Sequence, residues 1–236
     1  MRKISTLSAL FLMLAAAGAT ASTITVDAVG QGWYRASGEH VEGNPNIFTG
    51  LTRSQTHHSF LRFDLAGITD SVSAADVVFV AGNGTQLASG AGELSLYAVT
   101  TALAELGMDS PAGSAAGQAI HGDLGSGTVL GSVGFTNVDG AGMPELVVPF
   151  GLDGLLALND AIGGGFAVGG ALTAAPDGAF GLWFGSTAVP AAQLRLTAGP
   201  APELPSPIPL PASGALLIAA LAGLGLAARH RAPRPS

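Results

Sequence analysis

Between residues 22 and 198 the side chains able to hold a metal or move a proton are few. The imidazoles there are His40, His57, His58 and His121. A zinc ion needs three or four ligands converging on a tetrahedron, so His40, His58 and His121 can serve only if the fold gathers them. His57 and His58 are neighbours, and adjacent side chains of a strand point to opposite faces, so that pair cannot chelate one ion. Glu39, Glu42 and Asp64 are candidate oxygen ligands for a loop-bound Ca2+, although the spaced carboxylates of an EF-hand are absent. Trp33, Tyr34 and Trp183 are the candidate rings for stacking a sugar. Core packing competes for them, because aromatic side chains carry much of a core's buried area. Asn83-Gly84-Thr85 fits a glycosylation sequon and a hairpin turn equally.

Reaction motifs are missing. The chain has no G-x-S-x-G elbow, no H-E-x-x-H and no G-x-G-x-x-G. Its single lysine is Lys3, so residues 22–198 can form neither a P-loop nor a Schiff base. A glycosidase needs two carboxylates across a cleft, and the fifteen acids of this stretch guarantee pairs without singling one out. Arg62 and Asp64 share one strand face and are expected to form an ion pair. The 35 glycines read as turn and linker residues. These features point to a non-enzymatic protein with no catalytic residue, no resident metal and no cofactor, Ca2+ being the one ion left open.

The elements that would position these side chains are short and β-like. Thr23-Ile24-Thr25-Val26 alternates with period two, as does Phe60-Leu61-Arg62-Phe63-Asp64-Leu65, which puts Leu61, Phe63 and Leu65 on one face. Further strands are expected over 76–81, 93–99, 128–133, 145–148, 165–168, 179–185 and 193–197. Gly, Asn, Asp and Ser clusters such as Gly82-Asn83-Gly84 separate them. Two helices are expected, over 101–106 and 152–162. In the second, Leu152, Leu155, Leu156, Asn159 and Ile162 share a face for a sheet, and Gly163-Gly164-Gly165 ends it. Asp123 and its flanking glycines read as a loop. The fold class is all-β: a β-sandwich of jelly-roll type with one or two short helices. Cysteine is absent, so one apolar core must supply the stability.

Charge excludes one class of partner. Residues 22–198 hold four arginines and no lysine against fifteen carboxylates, a balance of −11. Nucleic acid requires clustered Lys and Arg and is not an expected partner.

The ends of the chain carry targeting features. Residues 1–21 read as a signal peptide: Arg2 and Lys3, an apolar stretch over 7–17, then Ala19-Thr20-Ala21 as an A-x-A cleavage site. Residues 199–211 form a Pro-rich linker with prolines at 200, 202, 205, 207, 209 and 211. Residues 212–228 are 17 uncharged residues, the lower limit for a membrane span. Residues 229–236 are basic, with Arg229, His230, Arg231 and Arg234, as retained on the cytoplasmic side.

The segment Ile208-Pro209-Leu210-Pro211-Ala212, the apolar run and the Arg229-His230-Arg231 cluster together resemble the C-terminal sorting signals of the PEP-CTERM class, in the VPLPA variant. Ile208 stands where valine is usual. The resemblance implies recognition and cutting by an exosortase-type membrane protease, with Pro209, Leu210, Pro211, Ala212, Arg229 and Arg231 forming the signal. It also implies export, insertion in the inner membrane during sorting, and release to the cell surface or extracellular matrix. A plain C-terminal membrane anchor is the alternative. Most of residues 30–198 resemble a β-rich module common in secreted PEP-CTERM proteins. The matching stretches include Gly32-Trp33-Tyr34, Thr49-Gly50, Ser59 to Leu65, Ser95-Leu96-Tyr97-Ala98-Val99, and Leu155-Leu156-Ala157-Leu158-Asn159 before Gly164-Gly165-Phe166. No enzymatic activity comes with that resemblance. It implies a structural or adhesive role in a polysaccharide-rich layer. The alternative is a carbohydrate-binding module using Trp33, Tyr34 or Trp183, and a glycan-active enzyme ranks behind both.

Overall fold

The computed structural model describes residues 22–52, 55–80, 91–136, 145–174, 180–184 and 192–203. The stretches read as a signal peptide, as a sequon or hairpin turn at Asn83, and as a sorting signal lie outside the described residues. Among the described residues no helix is long and apolar enough to cross a membrane.

The described residues are mostly β, with two short helices. The strands are β1 (Thr23–Arg35), β2 (Ile47–Thr52), β3 (Gln55–Asp64), β4 (Val72–Val80), β5 (Ala91–Ala98), β6 (Val129–Thr136), β7 (Glu145–Pro149), β8 (Gly165–Ala174), β9 (Phe180–Phe184) and β10 (Ala192–Ala198). The helices are α1 (Ala115–Leu124) and α2 (Leu152–Asp160). All strand pairs are antiparallel, in the order β6-β5-β8-β3-β1-β10-β4-β7, with β2 pairing β3 and β9.

β1 belongs to two layers. Its first residues, from Thr23 to Asp27, pair with β10. From Ala28 onward it pairs with β3. The register slips between Ala28 and Gly30, leaving Val29 as the extra residue of a β-bulge. A bulge bends its strand and sharpens the local twist, and here it carries the chain from one layer into the other. The result is sandwich-like, with one core between the layers. Leu61, Phe63 and Leu65 reach that core from the β3 side, meeting Val77, Phe79, Leu194 and Leu196 from the other layer. Each such fully buried Leu or Phe contributes about 1.5–3 kcal/mol.

The outer face of the β1–β3–β8 layer is covered as well. Tyr34, Phe60, Leu106, Leu124 and Ala167 form a second, smaller cluster under α1 and the loop before it. With both faces covered, β8 buries six consecutive residues from Phe166 to Ala171. That explains its run of apolar and small residues without alternation.

All nine expected strands are present, and β2 adds a tenth. The helix expected over 101–106 is instead a single turn, in which Leu106 N–H bonds to Ala102 O before Gly107 takes φ +92° and reverses the chain. The stretch read as a loop around Asp123 is the end of α1. Ser114 caps this helix by accepting from Gly117 N–H at 3.1 Å, worth about 1 kcal/mol. In α2 the buried residues are Gly154, Leu155 and Leu158, while Leu152 is exposed. The packed face is therefore rotated relative to the expected one. Asn159 on that helix accepts from Val72 N–H at 2.9 Å and donates to Val72 O at 2.9 Å and Leu155 O at 2.7 Å. β7 pairs with β4 only from Asp76 onward, so Asn159 supplies the hydrogen bonds of a neighbouring strand at Val72.

Many glycines are neither turn nor linker residues. A Cβ at Gly117 would collide with the Gly38 carbonyl, at Gly169 with the Leu124 carbonyl, and at Gly154 with the Leu130 carbonyl. These glycines let backbone lie directly on backbone where α1 meets the turn after β1 and β8, and where α2 meets β6.

Candidate functional site

The bulge in β1 shapes the most chemically distinctive surface. Gly30 stands opposite Arg62 of β3. A Cβ at Gly30 would overlap the guanidinium, so Arg62 lies across β1 because residue 30 has no side chain. Arg62 NH1 donates to Leu103 O at 3.1 Å. Asp64 does not meet it: its carboxylate accepts from Ala66 N–H at 3.0 Å and stabilises the turn after β3. The expected Arg62–Asp64 ion pair is therefore not formed. Among the described residues the ion pairs are Arg35–Glu39 and Arg195–Glu145, and Arg62 has a backbone carbonyl as its hydrogen-bond partner.

Over the guanidinium lies a hollow of about 310 Å³ whose polar lining is Gln31, His40, Glu42 and Arg62, with Gly107 at one side. A second hollow, of about 320 Å³, shares Val29 and Arg62 and adds Asp64, Leu103 and Gly165. The wall of the first is fastened by Gln31 Nε2–H donating to Pro45 O at 2.7 Å. Glu42 N–H donates to Asp109 Oδ1 at 2.7 Å, and His40 pairs with Ser110 in an isolated bridge. His40 is buried, stacks on Tyr34 and has Nδ1 2.7 Å from Trp33 O. Nδ1 facing a carbonyl carries the proton, so the neutral ring has Nε2 as an acceptor. His40 Nε2 and Arg62 Nε are buried without a hydrogen-bond partner. Among the described residues no serine, cysteine or lysine lines this hollow.

The other histidines separate as strand geometry requires. His57 packs edge-on to Trp33 and Phe48, and its Nε2 accepts from Arg35 Nε at 3.3 Å. His58, on the other face, stacks on His121 of α1 with ring centroids 3.9 Å apart and 9° between planes. His58 Nδ1 lies 2.6 Å from His121 O. Burial, and then the Arg35 charge, push His57 down to about 4. Burial, then the neighbouring His58 and His57, push His121 down to about 4. Burial also lowers His58. These rings are held neutral.

Of the three proposed zinc ligands, the fold brings His58 and His121 together and places His40 on Tyr34. No group of three His, Asp or Glu side chains among the described residues is arranged to hold a metal ion. Glu39 pairs with Arg35, Glu42 lines the hollow and Asp64 serves its turn, so the three proposed calcium ligands are engaged separately. Trp33 and Tyr34 are buried, at 8% and 0% exposure. Tyr34 packs against His40 and Phe60, and Arg35 sits over the Trp33 ring at 5.1 Å. Their rings are used in packing, which leaves neither available as an open stacking platform. Trp183 pairs through its backbone with Phe48.

The hollow itself was not legible in the sequence as a unit. Its residues come from four separate stretches, and the one available signal was an arginine, one of four, in a lysine-free, acidic module. Comparison with protein-family models and with curated proteins finds no match to this chain, so the site rests on its own geometry.

Proposed function

We propose that this is an exported, non-enzymatic surface or matrix protein with a structural or adhesive role. In this reading a β-sandwich of jelly-roll type is delivered by its C-terminal signal. The observation that carries it is the succession of Pro-Leu-Pro-Ala at 209–212, an uncharged run over 212–228 and the Arg229-His230-Arg231 cluster, in a chain that opens with a leader ending Ala19-Thr20-Ala21. The antiparallel layers, with β1 shared between them, support the jelly-roll topology. The lysine-free, acidic composition supports a soluble surface that repels nucleic acid and anionic lipid.

Terminal peptide mapping of the native protein, by mass spectrometry on separated membrane and extracellular fractions, tests this. The expected product begins at Ser22 and ends near Ala212. A membrane-bound chain that retains Arg229 to Ser236 would refute sorting and leave a plain anchor.

A further inference from the structure

The hollow over the β1 bulge has a feature that packing does not explain. A guanidinium is kept half-buried on its floor without a carboxylate partner, in a module with a surplus of carboxylates. Leaving buried polar atoms unpaired costs stability, and such atoms in a native fold call for a cause. Two of them belong to residues that line the hollow, Arg62 Nε and His40 Nε2, and the second belongs to a side chain only 3% exposed. The two ask for opposite things. Arg62 offers donors and a positive charge, so it seeks an anion. His40, with its proton committed to Trp33 O, offers a lone pair and seeks a hydroxyl. Glu42 adds a second acceptor for hydroxyl groups, and Gln31 completes the polar lining.

We infer that this hollow binds a carboxylate flanked by hydroxyl groups, as presented by one uronic-acid unit of an acidic polysaccharide. The carboxylate sits on Arg62, the charge-assisted pairing that guanidinium geometry favours. The ring hydroxyls face Glu42 and Gln31. At about 310 Å³ the hollow is at the small end of ligand sites and suits a single sugar ring. Neutral sugars lack the group that Arg62 requires, and simple carboxylates lack the hydroxyls. Glu42 beside the site and the negative module around it oppose every anion, and they oppose a singly charged carboxylate less than a doubly charged phosphate. The rings of Trp33 and Tyr34 do not line this site. It rests on the proposed surface role only for where an acidic polysaccharide would be met.

The test is calorimetric titration of the full-length chain, in mild detergent, with sodium glucuronate, glucose and sodium acetate separately. A single unit with about 13 non-hydrogen atoms is expected to bind near 1 mM. Glucose and acetate are each expected to bind at least tenfold more weakly. Arg62→Gln should weaken glucuronate at least tenfold. Val29→Asp gives a second measure that keeps the Arg62 side chain in place: Val29 lines both hollows together with Arg62 and is 63% exposed. A carboxylate placed there should also weaken glucuronate several-fold while leaving the fold intact. The inference is overturned if folded wild type shows no glucuronate binding at about 10 mM, ten times the expected constant. It is equally overturned if glucose or acetate binds as well as glucuronate, or if Val29→Asp leaves binding unchanged. None of these outcomes bears on where the chain is cut, which the peptide mapping decides separately.

Discussion

Acid should weaken this fold through its stacked histidines, and a single substitution should isolate the effect. The rings of His58 and His121 lie 3.9 Å apart. The charges bearing on His121 are those of His58 and His57, and no carboxylate offsets them. On His57 the Arg35 charge acts downward, with Glu39 opposing it more weakly. In the unfolded chain these histidines return to about 6.5. The unfolded state therefore takes up protons first as pH falls, so this contribution is fully present above about 6.5 and is lost on descent to about 4. The full shift of one histidine from 6.5 to about 4 corresponds to about 3 kcal/mol. His121 keeps part of its ring in contact with water, and halving for that screening leaves about 1.5 kcal/mol. For His121→Gln, which cannot charge, the stability lost between pH 7 and about pH 4.5 should be smaller than for wild type by about that amount. With a urea slope of about 2 kcal/mol per molar, the midpoints should converge by about 0.7 M across the range. Urea titrations followed by tryptophan fluorescence measure this directly. Carboxylates titrate alike in both proteins, so they cancel in the comparison. Midpoints that fall in parallel for wild type and variant would refute the reasoning.

Two further substitutions test the packing. Asn159→Ala strands the N–H and carbonyl of Val72, a buried residue, and should cost about 2–4 kcal/mol at about 1–2 kcal/mol per orphaned group. The urea midpoint would fall by more than 1 M, and a fall below 0.25 M at unchanged slope would show that β4 does not need this side chain. Gly169→Ala pushes a methyl into the Leu124 carbonyl at the end of α1 and should cost about 1–3 kcal/mol. Hydrogen exchange in 115–124 should quicken, whereas unchanged protection would mean that α1 does not lie on β8 as described.

What the sequence disclosed followed from how strongly each segment repeated. β3 was legible because Leu61, Phe63 and Leu65 alternate with polar neighbours, and the core takes them in that order. α1 was missed because its buried residues are Gly117 and Leu124, too little apolar surface for a helical stripe. Tertiary contacts hold it instead. Ser114 caps one end, and Asp123 at the other accepts four hydrogen bonds from the N–H and hydroxyl groups of Thr100 and Thr101. Those bonds hold the Asp123 carboxyl below its ordinary range against the opposing effect of burial. The turn over 101–106 resembled a helix because its composition is helical, and Gly107 stops it after one turn. The separation of His57 from His58 was predictable from strand geometry alone. The stacking of His58 on His121 was not, because it pairs residues 63 positions apart.

The sharing of β1 between layers has a mechanical side. β10 lies between β1 and β4, hydrogen-bonded on both flanks, and Ala198 N–H bonds to Ser22 O at 2.9 Å. A force transmitted along the chain at residue 199 enters β10 along its own axis. It must shear two ladders at once, where pulling on an edge strand would peel one open a bond at a time. Because β1 continues past the bulge into the other layer, part of that load passes through one covalent strand to the Arg62 side of the molecule. A domain held at one end and gripped at the hollow would thus be loaded along its most resistant direction.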